Sequence, residues 1–209
     1  MVCTMLKSKP FKSLMISYPR TGSHWLRTLM SQYFNLPFLE TRNNKWFQHL
    51  HDKDGEVISS VVLYLYRNPI DVVFSKAYMN NKFPLEDINV LTRTDWYINH
   101  LEKWLDYETF TKKKTIIYYD ELRRNFVNEF KKVVLHFSTD YDKSKALFVR
   151  DLVTKRFVKK RIRTNSQLPI ITISDKYEVF RKEFREEYGK IIWSLVLKNK
   201  KLHKYFLKE

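Results

Sequence analysis

Short apolar runs alternate along the chain with segments whose apolar residues recur every three or four positions. The runs at residues 13–16, 61–66 and 115–119 are short and almost wholly apolar, which favours buried strands. After the first run, one side of a predicted helix collects the apolar residues Leu26, Leu29, Met30 and Tyr33. The pattern therefore indicates units in which a strand is followed by a helix.

Helix start and stop signals extend this pattern to the rest of the chain. The predicted helices after the first begin at Asn68-Pro69, at Thr94 or Asp95, at Asp120 or Glu121, at residue 143 and at Ser174. The segments 80–92 and 164–173 are predicted loops, the helix from 143 is predicted to reach 158, and Gly189 is predicted to interrupt the last helix. Residues 38–57 are mostly polar, but Phe47, His49 and His51 alternate and should share one face of a short strand.

Repeated strand-then-helix units imply parallel strands joined by right-handed crossovers. We therefore predict an α/β fold with three α/β/α layers around a central parallel sheet. Neither an internal repeat nor a change in composition marks a boundary, so residues 1–209 are predicted to form a single domain.

The composition is that of a globular protein with a strongly basic surface. Hydrophobic residues make up 44% of the chain, and no apolar run is long enough to cross a bilayer. Lys and Arg (39) exceed Asp and Glu (23), and the formal net charge of +16 attracts anions of every kind. The first residues lack the apolar core of a signal peptide, and Cys3 is the single cysteine. We therefore expect a cytoplasmic protein without disulfides or a Cys-based zinc site.

The segment after the first predicted strand suits an anion. It reads Ser17-Tyr18-Pro19-Arg20-Thr21-Gly22-Ser23-His24-Trp25. Backbone N–H groups at a helix start have no intrahelical acceptor, and the helix dipole favours negative charge there. Arg20 adds a fork of hydrogen-bond donors. Taken alone, the segment is explained equally well as an ordinary turn between a strand and a helix.

Two further strand ends carry polar or aromatic side chains where ligands of parallel sheets bind. Arg67 ends the second strand, and Ser75 follows about 9 Å along the next helix at about 1.5 Å per residue. A long Arg side chain can meet such a hydroxyl around one phosphate, although either residue alone could be an ordinary surface side chain. The third strand end reads Tyr119-Asp120-Glu121-Leu122 and supplies an aromatic ring.

Together these segments resemble the sulfotransferases that use 3′-phosphoadenosine 5′-phosphosulfate (PAPS). The 5′-phosphosulfate loop of that family reads Y-P-[KR]-[ST]-G-[ST]-x-W-L, and residues 18–26 are similar to it throughout. The 3′-phosphate motif R-[ND]-P-x-D-x-x-x-S is similar to residues 67–75. The Y-E-D-L segment resembles residues 119–122 with the acids exchanged. The motifs occur in family order, and the resemblance implies the P-loop-like sulfotransferase fold.

The resemblance implies a role for each matching residue. Arg20 stands where the loop cation of the family stabilises charge on the leaving phosphate. The 5′-phosphate would be held by backbone N–H groups and hydroxyls of Thr21, Gly22, Ser23 and His24. Arg67 and Ser75 would bind the 3′-phosphate. Trp25 would flank the adenine, and Tyr119 would lie near the base.

Two family features have less direct counterparts. The C-terminal R-K-G of the family also contacts the 3′-phosphate. Its preferred counterpart is Arg163-Thr164-Asn165, and the alternative is Arg181-Lys182-Glu183 inside a predicted helix. The general base of the family is a His before the strand of the 3′-phosphate motif. We prefer His51 over His49 because a His-Asp pair recurs at this place in shorter members.

The implied reaction moves a sulfuryl group from PAPS to a hydroxyl or amine of a small-molecule or glycan acceptor, leaving PAP. No metal is required, and the H-x-H-x-D-H pattern of a two-metal hydrolase fails at Lys53 and Asp54. A P-loop kinase would need G-x-x-x-x-G-K-[ST], whereas this loop has one glycine and no following lysine.

A basic nucleic-acid-binding module is the alternative from another class, although no helix-turn-helix, zinc-finger or RNP signature is present. We expect no membrane partner and no specific nucleic acid. The identity of the acceptor and the oligomeric state stay open.

Overall fold

A computed structural model describes residues 13–35, 47–51, 61–79, 86–106, 113–154, 157 and 175–207. The strands are β1 (Ser13–Ser17), β2 (Phe47–Leu50), β3 (Val61–Tyr66) and β4 (Lys113–Tyr118). The helices are α1 (Ser23–Tyr33), α2 (Pro69–Met79), α3 (Asp87–Leu101), α4 (Tyr119–Arg124), α5 (Phe126–His136), α6 (Lys143–Leu152), α7 (Asp175–Lys198) and α8 (His203–Phe206). A π-helical turn, Glu102–Asp106, continues α3, and a 3₁₀ turn, Lys200–Leu202, precedes α8.

The four strands form one parallel sheet in the order β2-β1-β3-β4. Met15 of β1 lies between His49 of β2 and Leu63 of β3, and Leu63 in turn pairs with Thr115 of β4. A parallel sheet of this kind needs apolar cover on both faces, because its crossover helices pack there.

Two apolar clusters provide that cover. On one face, Met15, Leu63 and Ile117 pack with residues of α1, α5 and α6, including Leu26 and Phe130. On the other face, the cluster joins sheet residues to α2, α3 and α7; it includes Ile16, Val62, Tyr64, Phe74, Tyr97 and Phe184. The predicted three-layer α/β/α architecture with a central parallel sheet is therefore confirmed.

The start of α2 follows the predicted capping chemistry. The side-chain carbonyl of Asn68 accepts a hydrogen bond from the backbone N–H of Ile70 (3.0 Å). Pro69 occupies the first helical position, where its missing N–H costs nothing. This local signal is why the helix after β3 was readable from the sequence.

The predicted start of α3 at Thr94 or Asp95 is wrong, and so is the predicted loop over residues 87–92. The helix begins at Asp87. Val90 is buried and extends the apolar stripe of the helix by one turn, and Asp87 accepts a hydrogen bond from Tyr188 of α7 (3.0 Å). This contact over a separation of 101 residues was not visible as a local pattern.

Gly189 does not interrupt the last helix, because α7 runs unbroken from Asp175 to Lys198. A Cβ at Gly189 would lie 3.3 Å from Cδ1 of Ile70, so the glycine permits a close approach of α7 to α2. Two other bounds also differ from prediction. The helix from Lys143 ends at Leu152 instead of 158, and the helix predicted from Asp120 or Glu121 is divided at Asn125 into α4 and α5.

Several predicted features lie outside the described residues, among them the loop 164–173, residues 80–85 of the predicted loop 80–92 and most of the segment 38–57. Within the described ranges, no helix is both long and apolar enough to cross a membrane.

A buried histidine ties α5 to two strands of the sheet. His136 Nε2 shares a 2.8 Å hydrogen bond with Ser13 Oγ of β1, and its Nδ1 shares one of 2.8 Å with Thr115 Oγ1 of β4. The side chain is 4% exposed. Burial, together with the nearby Lys113, lowers the pKa of His136 to about 4, so the ring is neutral at pH 7.

Replacement of His136 by Leu should lower the free energy of unfolding at pH 7 by about 1–3 kcal/mol, because buried hydroxyl groups lose their partner. In the native protein the contribution of neutral His136 to stability is fully present above pH 6.5, the pKa of the residue in the unfolded chain. It is lost as the pH falls towards 4, because the unfolded chain binds a proton on His136 at a higher pH than the folded protein does. Urea unfolding between pH 7 and pH 4 measures both effects. Leu135→Ala, at an exposed position of the same helix, is the control. An equally steep pH dependence in His136→Leu would contradict the prediction.

Candidate functional site

The order of the strands puts a reversal of the chain connections at the carboxyl ends of β1 and β3. The chain leaves β1 towards α1 on one face of the sheet and leaves β3 towards α2 on the other face. In an open parallel sheet, ligands bind in the crevice at such a reversal, outside the carboxyl ends of the strands. The loop after β1 and Arg67 after β3 both lie at this place.

The loop between β1 and α1 is held by its own backbone. The carbonyl of Tyr18 accepts hydrogen bonds from the backbone N–H (3.3 Å) and the hydroxyl (2.8 Å) of Thr21. Arg20 (φ 77°) and Gly22 (φ 95°) adopt left-handed conformations that turn the chain into the helix. No side chain caps α1 at Gly22, and its first turn contains no acidic residue. The positive end of this helix therefore meets no protein anion within the helix itself.

Three of the predicted nucleotide residues form a chain of hydrogen bonds across the crevice. Arg20 Nε donates to Ser75 Oγ of α2 (2.9 Å), and Arg67 Nη1 donates to the carbonyl of Arg20 (3.4 Å). Ser75 is 4% exposed. Burial lowers the pKa of Arg20, and the positive Arg67 lowers it further, against an opposing effect of Tyr177. The two arginines are thus held close together despite their like charge.

Arg67 is positioned at both its backbone and its side chain. The hydroxyl of Tyr97 accepts from the N–H of Arg67 (3.0 Å) and donates to its carbonyl (2.8 Å). The guanidinium lies over the ring of Tyr119, with Cζ 4.7 Å from the ring centroid. Its Nε is buried and has no hydrogen-bond partner among the described residues. A buried donor of this kind needs an acceptor, and an anionic ligand in the crevice would supply one.

Asp71 joins the crevice to α7. Its carboxylate receives two hydrogen bonds of 2.9 Å from Arg181, one of 3.1 Å from Arg185 and one of 3.3 Å from Arg67. Burial would raise the pKa of Asp71, but the hydrogen bonds and charges of the three arginines more than offset it and lower the pKa. Arg181 also donates to Glu178 (3.2 Å), so three guanidinium groups share two carboxylates and positive charge remains in excess around Arg67.

Gly22 lies directly beneath Tyr119. A Cβ at position 22 would overlap the Tyr119 ring, so this contact requires glycine independently of its positive φ. The edge of the Trp25 ring meets Tyr119 at 5.6 Å between centroids, and Trp25 Nε1 donates to the carbonyl of Val153 after α6 (3.0 Å). Two aromatic rings therefore border the loop at the place where the sequence predicts the base of a nucleotide.

The two candidate bases lie together at the end of β2, with ring centroids 4.7 Å apart. His49 is 6% exposed, and its Nε2 shares a 2.9 Å hydrogen bond with Ser17 Oγ. His51 Nδ1 lies 2.8 Å from the carbonyl of Ser17, which can only accept, so Nδ1 is the donor. In neutral His51 the acceptor nitrogen is therefore Nε2, the arrangement that a general base requires.

His24 is a neutral member of the loop. Arg27 Nη2 donates to His24 Nδ1 (2.9 Å), which leaves the ring proton on Nε2. Burial lowers the pKa of His24 to about 4, with further lowering by the charges of Arg27, His51 and Arg20. The first turn of α1 thus carries a neutral imidazole donor in addition to its backbone N–H groups.

Most of the predicted site residues lie close together in the structure, and the others fall outside the described residues. The loop residues, Arg67, Ser75, Tyr119 and the two histidines border the carboxyl end of the sheet. Arg163, Thr164 and Asn165 lie outside the described residues. The alternative Arg181 lies inside α7 as predicted, on the carboxylate of Asp71. Across the described ranges, no three His, Cys, Asp or Glu side chains are grouped to hold a metal ion.

Sequence reasoning missed two contributors to this site. Asp71 was not among the predicted site residues, although it is the fixed Asp of the R-[ND]-P-x-D motif, which was an available signal. Tyr97 was not among them either. Its role depends on the folding of α3 against the end of β3, and no local pattern indicates that contact.

The chain matches the crystal structure of a mouse sulfotransferase, SULT7A1, complexed with PAP, at 17% sequence identity and a TM-score of 0.57. The match covers 91% of this chain and 90% of that one. No protein-family model and no curated protein matches the sequence. The chain therefore shares the fold of this sulfotransferase.

Gly22→Ala should destabilise the protein by about 1–3 kcal/mol, because Ala is strained at positive φ and its Cβ overlaps Tyr119. When Tyr119 is also replaced by Ala, the Gly22→Ala change should cost less stability. The destabilisation due to overlap with the Tyr119 ring is then removed, and the destabilisation due to backbone strain remains. Urea unfolding of both variants and of Tyr119→Ala separates the two contributions. A Gly22→Ala protein as stable as the native one would contradict this account of the loop.

Proposed function

We propose that this chain is a sulfotransferase that moves a sulfuryl group from PAPS to a hydroxyl or amine acceptor. The observation that carries the proposal is the arrangement around Arg67. Its buried Nε lacks an acceptor among the described residues, and it stands beside Arg20 and Ser75 at a crevice with a helix N-terminus. A nucleotide with phosphate groups at both 3′ and 5′ positions would satisfy these donors. The fold shared with a sulfotransferase supports the same ligand.

The 5′ side of the nucleotide would be held by the start of α1. Backbone N–H groups of Gly22, Ser23 and His24 and the hydroxyl of Ser23 are the donors for its phosphate. The hydroxyl of Thr21 donates to the carbonyl of Tyr18, so Thr21 would contribute through its backbone and hold the loop in shape. Trp25 and Tyr119 would border the adenine.

The 3′-phosphate would be bound by Arg67 and Ser75. Arg67 contributes its Nε and a guanidinium already oriented by Asp71 and the Tyr119 ring, which reduces the entropy lost on binding. Arg163, Thr164 and Asn165 remain the predicted additional contacts. The pairing of a 5′ and a 3′ subsite is what would distinguish this nucleotide from ATP.

In the proposed reaction, His51 would take the proton of the acceptor, and Arg20 would lie near the negative charge that develops on the leaving phosphate. His51 Nε2 would accept the proton of the acceptor hydroxyl or amine as its oxygen or nitrogen bonds to sulfur. The bond between sulfur and the phosphate oxygen breaks, and Arg20 with the loop N–H groups would stabilise the charge left on that phosphate. We favour His51 over His49, which is more buried and engaged with Ser17 Oγ. No residue in this scheme requires a metal.

A basic nucleic-acid-binding module remains the second candidate because the net charge is +16. Isothermal titration distinguishes the two functions. The enzyme should bind PAP in the micromolar range and bind ATP with Mg²⁺ far more weakly. Tight binding of nucleic acid at high salt without binding of PAP would reject the enzyme in favour of the module.

Arg67→Ala should weaken PAP binding by about 10- to 100-fold, since a charge-assisted hydrogen bond to the 3′-phosphate is lost. Binding of 5′-AMP, which lacks that phosphate, should change much less. Arg150→Ala removes one exposed arginine from α6, away from the residues around Asp71, and is the matched control. An equal loss for PAP and 5′-AMP would show a general structural effect and contradict the assigned contact.

His51→Gln should lower turnover by about 10²- to 10⁴-fold while PAP affinity stays within about twofold. Labelled PAPS with a panel of phenols, alcohols, amines and glycans measures transfer, and titration with PAP measures binding. His49→Gln is the matched variant and should retain more activity. Full activity in His51→Gln would move the base to His49 or reject this mechanism.

A further inference from the structure

Arg93 of α3 is a buried cation that no element of the proposed mechanism uses. The residue is 9% exposed, and its Nε is buried without a hydrogen-bond partner in the described part of the chain. Among the described residues it takes part in no ion pair. Charges are almost always paired when they leave water, because the loss of hydration is otherwise uncompensated. A buried guanidinium N–H group without an acceptor among the described residues therefore calls for a ligand.

The carboxylates near Arg93 along the chain are engaged elsewhere. Glu86 accepts a hydrogen bond from Asn89 (3.0 Å), and Asp87 accepts one from Tyr188 of α7 (3.0 Å). Asp95 is exposed, whereas Arg93 is buried. The six residues before Glu86, residues 80–85, contain Lys82 and no acid in their sequence. The sequence around Arg93 thus supplies no evident internal counter-ion.

Arg93 faces the end of β1. It shares one side of α3 with Tyr97 and His100, at i, i+4 and i+7. The rings of Tyr97 and His100 lie 4.9 Å and 5.3 Å from the ring of Tyr18, the first residue after β1. The positive charge of Arg93 also acts on Tyr18, whose pKa is raised by burial and lowered in part by Arg93.

The same end of β1 positions the candidate base. His51 Nδ1 donates to the carbonyl of Ser17, the residue directly before Tyr18. The charge of Arg93 on α3 thus acts on Tyr18, and His51, directly after β2, bonds to the residue before it. Arg20 and Arg67 reach the crevice from the ends of β1 and β3, on the nucleotide side. This arrangement puts Arg93 on the acceptor side of the proposed reaction.

We propose that Arg93 binds an oxyanion of the acceptor, so that the acceptor carries a carboxylate or phosphate group besides the hydroxyl or amine that is modified. A planar guanidinium binds either group through two parallel hydrogen bonds, and burial strengthens the pairing. The inference rests on the proposed sulfotransferase function for its role, but the anion site itself can be measured without turnover.

The test compares acids with matched neutral compounds in binding experiments on the full chain, with and without saturating PAP. The pairs are 4-hydroxybenzoate with its methyl ester, and 4-hydroxyphenyl phosphate with 4-methoxyphenol. In at least one pair, the native protein should bind the acid about tenfold more tightly than its neutral partner. Comparison of the carboxylate pair with the phosphate pair shows which oxyanion is preferred. In Arg93→Gln the ratio of the affinity for the acid to that for its neutral partner should fall to about one. Arg93→Lys should restore part of this preference.

Arg150→Gln removes one exposed arginine from α6 and should leave this affinity ratio as in the native protein, which excludes an effect of net charge. PAP affinity serves as the second readout and should stay within about twofold in Arg93→Gln. Native protein that binds neither acid better than its neutral partner would overturn the proposal. So would an Arg93→Gln protein that loses stability or PAP affinity while its acid preference is kept. Absence of PAP binding by the native protein would instead reject the sulfotransferase function, and the acid preference measured without PAP would still decide the anion site.

Discussion

The parallel pairing of β1 with β3 is the constraint on which the site depends. Its register aligns Ser17 with Leu65, so the two strands end at nearly the same level. Arg20 and Arg67, 47 residues apart in sequence, can therefore share a hydrogen bond just beyond the sheet. The chain leaves the two strands on opposite faces, which keeps a crevice between them open to a ligand. A slip of one residue in this pairing would turn Ser17, Leu65 and their neighbours to the wrong face.

Around this crevice, cations are held close together by few acids. Asp71 is the main anchor, since Arg67, Arg181 and Arg185 all bond to its carboxylate. Glu178 takes a further hydrogen bond from Arg181, so two carboxylates face these three arginines and the nearby Arg20. In addition, α1 begins without an acidic residue in its first turn. This excess of positive charge is consistent with the anionic ligand that we propose. The net charge of +16, which by itself favours no particular anion, becomes specific only through this placement.

The candidate site shows how far local signals reach. Arg20, Gly22, Arg67 and Ser75 could be found because each belongs to a motif with fixed spacing beside a predicted strand. Tyr97 and Arg93 could not be found in this way, because their contacts come from packing α3 against the ends of β1 and β3. The start of α3 was misjudged for the same reason, since Asp87 is held by Tyr188 of a distant helix. The preference for His51 over His49 likewise gained its physical basis only when the contacts of both with Ser17 were known.

The sequence alone determined the three-layer α/β class, the strand and helix that flank each motif, and the turn of the chain from β1 into α1. Those features depend on apolar periodicity, capping residues and one glycine, which act over a few positions along the chain. Only the tertiary structure decided the order of the strands, the sharing of Asp71 by three arginines, the position of Tyr119 over Gly22 and the burial of Arg93. These depend on contacts between residues far apart in sequence, and no local pattern records them.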